Sequence, residues 1–314
     1  MKTNVVCITP LDHLPSVLNS LNQNCKIMYV PNIGKDDLRI LLLKNNFNAI
    51  FTNPNKQCFK LDYDLLNETS IRLINTASTG INHINLDDCK KLNIEIYSLT
   101  KDYELIKKLP STAELAFGLA LSLMRKIPQA FDDVKQGNWN YEPFVGRQLS
   151  GLTAGIIGYG RLGTFMARYC HAFGMRVLVN DTLKNVFEYD QVSKDKIYNE
   201  CDLISLHVHV NKDTINMINN NTINMMLKKP YIVNTSRGEI VNEIHMIDAI
   251  KDKKISGYGA DVLVDEFSDN IKNNKLITLS KEGYNIIITP HIGGMSIEGQ
   301  EKAYLYAAKK YKNK

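Results

Sequence analysis

The chain has 314 residues, of which 44% are hydrophobic and 23% are charged, and its formal net charge is +5 at pH 7. This length allows about two domains, and the composition is that of a globular protein rather than a disordered or fibrous one. The lysines are scattered in short groups and form no basic stripe, so the charge predicts no nucleic-acid partner.

The apolar and cysteine patterns argue against three further classes of protein. The apolar run before Pro10 is too short for a signal peptide, and the longest apolar helical stretch, 115–124, is shorter than a membrane span of about twenty residues. The six cysteines are dispersed, without a Cys-x-x-Cys pair or a cluster with histidine at zinc spacing. We therefore expect a cytoplasmic protein with reduced thiols, no membrane association and no bound metal.

The first hundred or so residues alternate short β-branched segments with longer amphipathic ones. This alternation predicts parallel strands with helices on both faces of a sheet, an α/β fold. The expected strands are 5–8, 26–30, 48–51, 72–75 and 94–97. The expected helices between them include 11–21, 35–43 and 86–91.

A helix that begins at Pro110 and runs to about Arg125 is expected to bridge two domains, since proline favours the first turn of a helix. A second series follows, with strands at 153–157, 176–180, 203–206, 231–234, 255–260 and 285–289. Six strands with helical connections predict a doubly wound parallel sheet. The final helix, 296–312, is expected to return to the first domain.

A glycine-rich turn lies between the first strand and the first helix of the second series. It fits the pattern G-x-G-x-x-G and consists of Gly158, Tyr159, Gly160, Arg161, Leu162 and Gly163. The first glycine permits a tight turn, the second lets the backbone approach a pyrophosphate, and the third lets helix and strand pack closely. The helix at 161–172 would present free N–H groups and a positive dipole end to the phosphates. The sequence therefore predicts a dinucleotide site.

The strand at 176–180 is followed by Asp181, about twenty residues after Gly158. A carboxylate at this place accepts hydrogen bonds from the ribose hydroxyls and repels a 2′-phosphate. This predicts NAD rather than NADP as the cofactor. Lys184 lies nearby and would soften the discrimination.

Three loops of the second series, 234–238, 260–266 and 289–294, follow strand ends and carry an arginine, acidic residues and a histidine. In an open α/β sheet such loops line the ligand crevice. Reduction of a 2-keto acid needs a cation for the carboxylate, a proton donor for the forming alkoxide and a hydride source. Histidine suits the proton transfer because it titrates near neutral pH.

Together these motifs closely resemble those of the D-isomer-specific 2-hydroxyacid dehydrogenase family, which includes D-lactate dehydrogenases, hydroxypyruvate reductases and phosphoglycerate dehydrogenases. The resemblance covers nearly the whole chain and includes residues 78–80 and 82–84 of the first domain. It implies a flavodoxin-like substrate domain, residues 1–105 plus 291–314, and an inserted Rossmann NAD-binding domain, residues 106–290. It also implies a homodimer joined around the NAD-binding domains.

The resemblance also implies roles for individual residues. Arg237 would bind the substrate, His291 would be the general acid and base, and Glu266 would pair with that histidine. The substrate carboxylate would be held from the first domain by Ser78, Thr79 and Gly80. Besides the glycine-rich turn and Asp181, the implied cofactor contacts are Thr112, His207, Thr235, Ser236, Asp261, Gly293 and Gly294.

The expected function is therefore NAD-dependent interconversion of a small 2-keto acid and its D-2-hydroxy acid. Two departures from the family pattern bear on the substrate. Glu266 is followed by Phe267 where the family often has proline, and segment 52–56 lacks the arginine that phosphoglycerate dehydrogenases use for phosphate, although Lys56 or Lys60 would supply a point charge. Two alternatives stay open: a non-catalytic NAD(H)-sensing protein similar to corepressors, and a phosphoglycerate dehydrogenase without a regulatory domain.

Overall fold

The fold is that of a computed structural model, in which residues 2–54, 59–264, 266, 268 and 270–313 are described. The strands are β1 (Asn4–Cys7), β2 (Lys26–Tyr29), β3 (Ala49–Thr52), β4 (Leu73–Thr76), β5 (Glu95–Tyr97), β6 (Thr153–Ile157), β7 (Arg176–Asn180), β8 (Asp190–Gln191), β9 (Leu203–Leu206), β10 (Tyr231–Asn234), β11 (Gly257–Ala260) and β12 (Ile286–Ile288). The helices are α1 (Pro15–Asn24), α2 (Lys35–Lys44), α3 (Tyr63–Leu66), α4 (Leu86–Lys91), α5 (Tyr103–Ile106), α6 (Ser111–Arg125), α7 (Ile127–Lys135), α8 (Arg161–Ala172), α9 (Lys194–Glu200), α10 (Asn220–Asn224), α11 (Glu243–Lys251), α12 (Lys275–Lys281) and α13 (Ile297–Lys309).

The chain divides into two compact units, one formed by Met1–Leu109 with Met295–Lys314 and the other by Pro110–Gly294. Each contains one sheet whose strands are all parallel, which confirms the predicted α/β fold class. The boundaries predicted from the sequence lie a few residues earlier, at 105/106 and 290/291. The second difference puts His291 in the second unit, because the turn that contains it is hydrogen-bonded to Asp261 of that unit.

The sheet of the first unit has five strands in the order β2-β1-β3-β4-β5, the order of flavodoxin-like folds. Successive residues of β1 face opposite sides of the sheet, as the period of a strand requires. Val5 and Cys7 pack in one core with residues of α1, and Val6 packs in the other with Leu38 of α2. Both sides of this interior strand are thus buried, which explains its continuous apolar sequence.

The final helix α13 forms part of the core of the first unit. Its buried side chains pack with Leu21 of α1 and Phe51 of β3. The ring of Tyr304 meets Phe51 edge to face, with centroids 6.1 Å apart. The side chain of Asn75 donates a hydrogen bond to the carbonyl of Ala307 at 3.0 Å. The first unit is therefore assembled from both ends of the chain.

The sheet of the second unit has seven strands in the order β12-β11-β10-β9-β6-β7-β8. Six had been predicted, and the seventh, β8, is a two-residue edge strand whose residues are exposed. The direction of winding reverses between β6 and β9, so a ligand crevice is expected at the carboxyl ends of these two strands. Helix α6 packs closely on β11, where a Cβ on Gly259 would come within 3.1 Å of Leu123.

Among the described helices, none has both the length and the hydropathy that a membrane span requires.

Candidate functional site

The glycine-rich turn connects β6 to α8 at the switch point of the second sheet. Gly158 has φ of +94°, a conformation that favours glycine, and its N–H donates to the carbonyl of Asn180 at 2.8 Å. A Cβ on Gly158 would collide with the carbonyl of His207, and a Cβ on Gly163 would collide with the carbonyl of Gly158. These two glycines are required by the packing of the turn against its neighbours.

Gly160 differs from the other two glycines because a Cβ there would meet no atom of the described chain within 4 Å. It caps the amino terminus of α8, whose first residue is Arg161. Partial removal from water lowers the pKa of Arg161 from its ordinary value. An arginine side chain nevertheless stays positively charged in proteins. Open space, a helix amino terminus and a partly buried cation together suit a pyrophosphate.

Asp181 follows β7 and is joined to the glycine-rich turn. Its Oδ2 accepts the backbone N–H of Tyr159 at 2.8 Å, while its Oδ1 accepts those of Leu183 and Lys184 at 2.8 and 2.9 Å. The side chain of Lys184 reaches the carbonyl of Tyr159 at 3.5 Å. The carboxylate is therefore fixed beside the turn, with the lysine close by.

Two polar atoms at the carboxyl ends of β9 and β10 are buried and have no hydrogen-bond partner among the described residues: Nδ1 of His207 and Oγ1 of Thr235. Desolvation lowers the pKa of His207 to about 4, so its ring is neutral at physiological pH. Its Nε2 is 2.8 Å from Oγ of Ser205, and the hydroxyl of Ser236 donates to the carbonyl of Leu206 at 2.7 Å. Buried polar atoms of this kind fit a cofactor that carries hydroxyl and amide groups.

Asp261, which directly follows β11, organises the turn after β12. Its Oδ1 accepts the hydroxyl of Thr289 at 2.5 Å and the N–H of Ile292 at 2.8 Å, and its Oδ2 accepts the N–H of Gly293 at 2.7 Å. Burial raises the pKa of Asp261, and these three hydrogen bonds oppose that effect. A Cβ on Gly293 would come within 2.9 Å of both Asp261 and Thr112, so this glycine allows the close approach.

His291 lies inside that turn with φ of +55°, a left-handed conformation that is uncommon for residues other than glycine. Its Nδ1 is 2.8 Å from Oε1 of Glu266, and both side chains are partly buried. The structure thus brings together the histidine and the carboxylate whose pairing the sequence predicted. Phe267, which follows the glutamate, lies outside the described residues.

Arg237 follows β10 and is held by its neighbours. Its Nη1 donates to the carbonyl of Ser236 at 2.6 Å, and its own carbonyl accepts the side-chain amide of Asn234 at 2.8 Å. The next residue, Gly238, is in close contact with the backbone of Leu263 and Val264, where a Cβ would not fit. No sequence pattern indicates this contact, which joins residues 234–238, the arginine loop, to the segment that precedes Glu266.

In the first unit, Ser78, Thr79 and Gly80 form a compact turn after β4. The hydroxyl of Ser78 donates to the carbonyl of Gly80 at 2.6 Å, and the hydroxyl of Thr100 donates to the carbonyl of Thr79 at 3.2 Å. The turn is thereby joined to the loop after β5. Lys56 lies outside the described residues, and Lys60 is exposed.

A sequence model of the D-isomer specific 2-hydroxyacid dehydrogenase family, NAD binding domain, matches residues 117–293. This region contains the glycine-rich turn, Asp181 and the turn with His291, called the histidine turn below. The chain belongs to this family. The predicted cofactor, NAD, and the predicted class of enzyme, an oxidoreductase acting on CH–OH groups, are thereby confirmed. The matched region lies wholly within the second unit, Pro110–Gly294, and covers that unit apart from its first seven residues and Gly294.

Two relatives illustrate the membership. The chain is 32% identical to the hydroxypyruvate reductase of Thermotoga maritima over 236 residues, which are 74% of each chain. It is 31% identical to the D-3-phosphoglycerate dehydrogenase of Bacillus subtilis over 262 residues, which are 82% of this chain but only 47% of that protein. The match thus spans about half the length of the second relative.

The crystal structure of a D-lactate dehydrogenase from Aquifex aeolicus, in complex with NAD and lactic acid, has a similar fold. The TM-score is 0.79 and the sequence identity 29%, with 98% of this chain and 94% of that chain covered. A D-lactate dehydrogenase thus shares the fold over almost the whole length of this chain.

Proposed function

We propose that this protein catalyses the NAD-dependent interconversion of a small 2-keto acid and its D-2-hydroxy acid. The observation that carries the proposal is the 2.8 Å hydrogen bond between Nδ1 of His291 and Oε1 of Glu266, in a turn at the carboxyl edge of the dinucleotide-binding sheet. Histidine oriented by a carboxylate is a common arrangement for a general acid and base.

In the proposed reduction, His291 gives a proton from Nε2 to the oxygen of the forming alcohol. Glu266 fixes the plane of the ring through its hydrogen bond with Nδ1. In the oxidation, the neutral imidazole takes the same proton back. The left-handed backbone at His291 belongs to the positioning of the ring, because the turn that imposes it is held by Asp261.

Arg237 is assigned to the substrate carboxylate. A guanidinium has five N–H donors, and the bond from Nη1 to the carbonyl of Ser236 orients its plane while other donors remain for a bidentate contact. Ser78, Thr79 and Gly80 are also proposed to contact the substrate. Their turn is held by the hydrogen bond from the hydroxyl of Thr100 to the carbonyl of Thr79.

The cofactor, when bound, supplies or accepts the hydride at the substrate carbon. Residues 158–163 are proposed to hold its pyrophosphate and Asp181 its ribose. The remaining contacts are assigned to the cluster of polar and small residues at the sheet edge, namely Thr112, His207, Thr235, Ser236, Asp261, Gly293 and Gly294. For Asp261 the three hydrogen bonds within the protein indicate that its main task is to hold the histidine turn.

The test is the loss of NADH absorbance with a panel of 2-keto acids: glyoxylate, pyruvate, hydroxypyruvate, 2-ketobutyrate, 2-ketoglutarate and 3-phosphohydroxypyruvate. Turnover of one or more acids that disappears in His291→Ala, with NADH binding retained, supports the proposal. A preference for the phosphorylated acid identifies a phosphoglycerate dehydrogenase. NADH binding without turnover of any acid contradicts the proposal and favours a cofactor-sensing protein.

We also propose that the protein is a homodimer located in the cytoplasm. Helix α7 carries the apolar side chains Ile127, Phe131 and Val134 on one exposed stripe, and the exposed Trp139 follows it. An apolar stripe of this kind is typical of a protein interface. The cysteines of the described chain are all free and buried, as in proteins of a reducing compartment.

A further inference from the structure

Glu243, the first residue of α11, makes two hydrogen bonds to the segment 264–274, which lies between β11 and α12 and carries Glu266. Its Oε1 accepts the backbone N–H of Val264 at 2.7 Å, and its Oε2 accepts the side-chain amide of Asn274 at 2.8 Å. Val264 lies two residues before Glu266, and Asn274 caps helix α12, where the segment ends. One carboxylate therefore holds both ends of the segment.

A second contact fixes the same end of the segment. The backbone of Gly238 lies directly against that of Leu263 and Val264, with no room for a Cβ. Leu263 is buried in the main core of the second unit, and Ile271, further along the segment, packs against that core. The amide of Val264 is therefore held at a fixed position between the arginine loop and the start of α11.

We propose that Glu243 is a positioning residue that holds Glu266 in hydrogen-bond contact with His291. The inference rests on the proposed function, since it assigns the proton transfer to that pair. A hydrogen bond weakens steeply when its atoms move beyond the normal range, so a shift of the backbone two residues before Glu266 disrupts the pair. A misplacement of about 1 Å in such a constellation lowers the rate by on the order of a hundredfold.

The proposal can be tested by exchanging the carboxylate of Glu243 with the side-chain amide of Asn274. Its Oδ1 accepts the N–H of Leu276 at 2.8 Å, which fixes the orientation of the amide and turns Nδ2 toward Glu243. In Glu243→Gln, one of the two hydrogen bonds must be lost, because the new NH₂ group faces either Nδ2 of Asn274 or the N–H of Val264. In Asn274→Asp, two carboxylates face each other.

The double variant Glu243→Gln with Asn274→Asp restores both contacts, since the aspartate accepts from the new amide and still caps α12. This variant separates hydrogen bonding from the interaction of Glu243 with the dipole of α11, because no carboxylate returns to position 243. Asp248→Asn is the matched control: it removes a carboxylate from an exposed position of the same helix.

The experiment compares these four variants with the wild type by kcat, by KM for NADH and by hydrogen exchange of the amides at 264 and 266. In both single variants we expect kcat to fall about tenfold or more, hydrogen exchange of the two amides to become faster and KM for NADH to stay unchanged. In the double variant kcat and the exchange rates should return to wild-type values. In a Glu266→Ala background, Glu243→Gln should add no further loss.

Any of three results overturns the inference. Exchange is unchanged in the single variants, exchange is altered while kcat is unchanged, or the double variant recovers neither the wild-type kcat nor the wild-type exchange rates. Its failure is distinct from failure of the proposed function, which appears as a wild type that reduces no 2-keto acid. In that case the exchange data still decide whether Glu243 holds the segment, and faster exchange without any turnover removes the catalytic part of the inference.

Discussion

The carboxylate of Asp261 accepts the backbone N–H of Gly293 at 2.7 Å and, with its other oxygen, that of Ile292 at 2.8 Å, so it encloses the turn in which His291 has a left-handed backbone. The side chain of the proposed proton donor is thus oriented from two directions. Glu266 fixes its ring, and Asp261 fixes its backbone. Both relationships lie within the second unit.

In Asp261→Asn, an NH₂ group replaces one of the two oxygens that accept three hydrogen bonds in this turn. Because NH₂ cannot accept, at least one of these bonds is lost and the turn should be weakened. We expect a loss of about 1 to 3 kcal/mol in the free energy of unfolding and a fall in kcat of about tenfold or more. Urea unfolding and steady-state kinetics measure the two effects. Asp248→Asn should change neither, and equal kcat values in the two variants would contradict the role of the turn.

Gly160→Ala should weaken NADH binding without affecting the fold, since its Cβ enters open space at the proposed pyrophosphate position. Gly118→Ala is the matched control: a Cβ there also meets nothing within 4 Å, and alanine in helix α6 should raise stability by about 0.5 to 1 kcal/mol. Fluorescence titration with NADH and thermal unfolding separate the outcomes. Equal NADH affinity in both variants would place the pyrophosphate elsewhere.

Asp181→Ser should reduce the preference for NADH over NADPH by on the order of tenfold or more, because a like charge near the 2′-phosphate costs several kcal/mol. Lys184→Ala in that background should weaken the use of NADPH, since the lysine lies beside the same turn. The ratio of kcat/KM for the two cofactors is the measurement. Glu188→Ser removes an exposed carboxylate nearby and should leave the ratio unchanged.

His83→Leu should reduce the acid sensitivity of the fold. Burial lowers the pKa of His83 to about 4 from its ordinary value of 6.5, so the unfolded chain binds the proton more readily between these values. The native state therefore loses about 3 kcal/mol of relative stability as pH falls from 6.5 to 4, and is unaffected above that range. Unfolding free energies across this range should be flatter in the variant. His209→Leu, at an exposed position, should retain the wild-type slope.

Phe131→Asp should convert the proposed homodimer into a monomer. The ring is 61% exposed on helix α7 and lies at the centre of its apolar stripe, so burial against a second copy would place the new carboxylate in an apolar contact. Sedimentation velocity measures the change. Leu227→Asp, at a position 76% exposed on the same unit, is the control, and a wild type that sediments as a monomer would remove the proposal.

The regular elements followed from sequence where apolar periodicity or a glycine pattern was strong. The strand at 153–157 and the helix at 161–172 were predicted with their observed bounds. The first helix was wrong at its start, Pro15 rather than residue 11, because residues 11–14 form a turn in which the N–H of Leu14 bonds to the carbonyl of Leu11. Strand β8 was missed because two exposed polar residues leave no apolar alternation.

The candidate site was predictable only in part. The motif pattern supplied the expected pairing of Glu266 with His291, and their contact agrees with it. The bonds of Asp261 to the histidine turn and of Glu243 to Val264 join loops that are far apart in the chain, and no local pattern specifies such contacts. An acidic residue at the first position of a helix indicates favourable dipole interaction, so the sequence of α11 gave no separate signal for Glu243.

The inclusion of α13 in the core of the first unit has a consequence for the order of events during synthesis on the ribosome. Tyr304 and Ala307 pack, with other residues after 294, in a core whose remaining side chains all come from before residue 110. That core therefore stays incomplete until the whole second unit has left the ribosome. The second unit is continuous in the chain and meets no such delay. Translation should therefore yield a folded nucleotide-binding unit while the amino-terminal segment still exposes apolar surface, the stage at which the nascent chain most needs a chaperone.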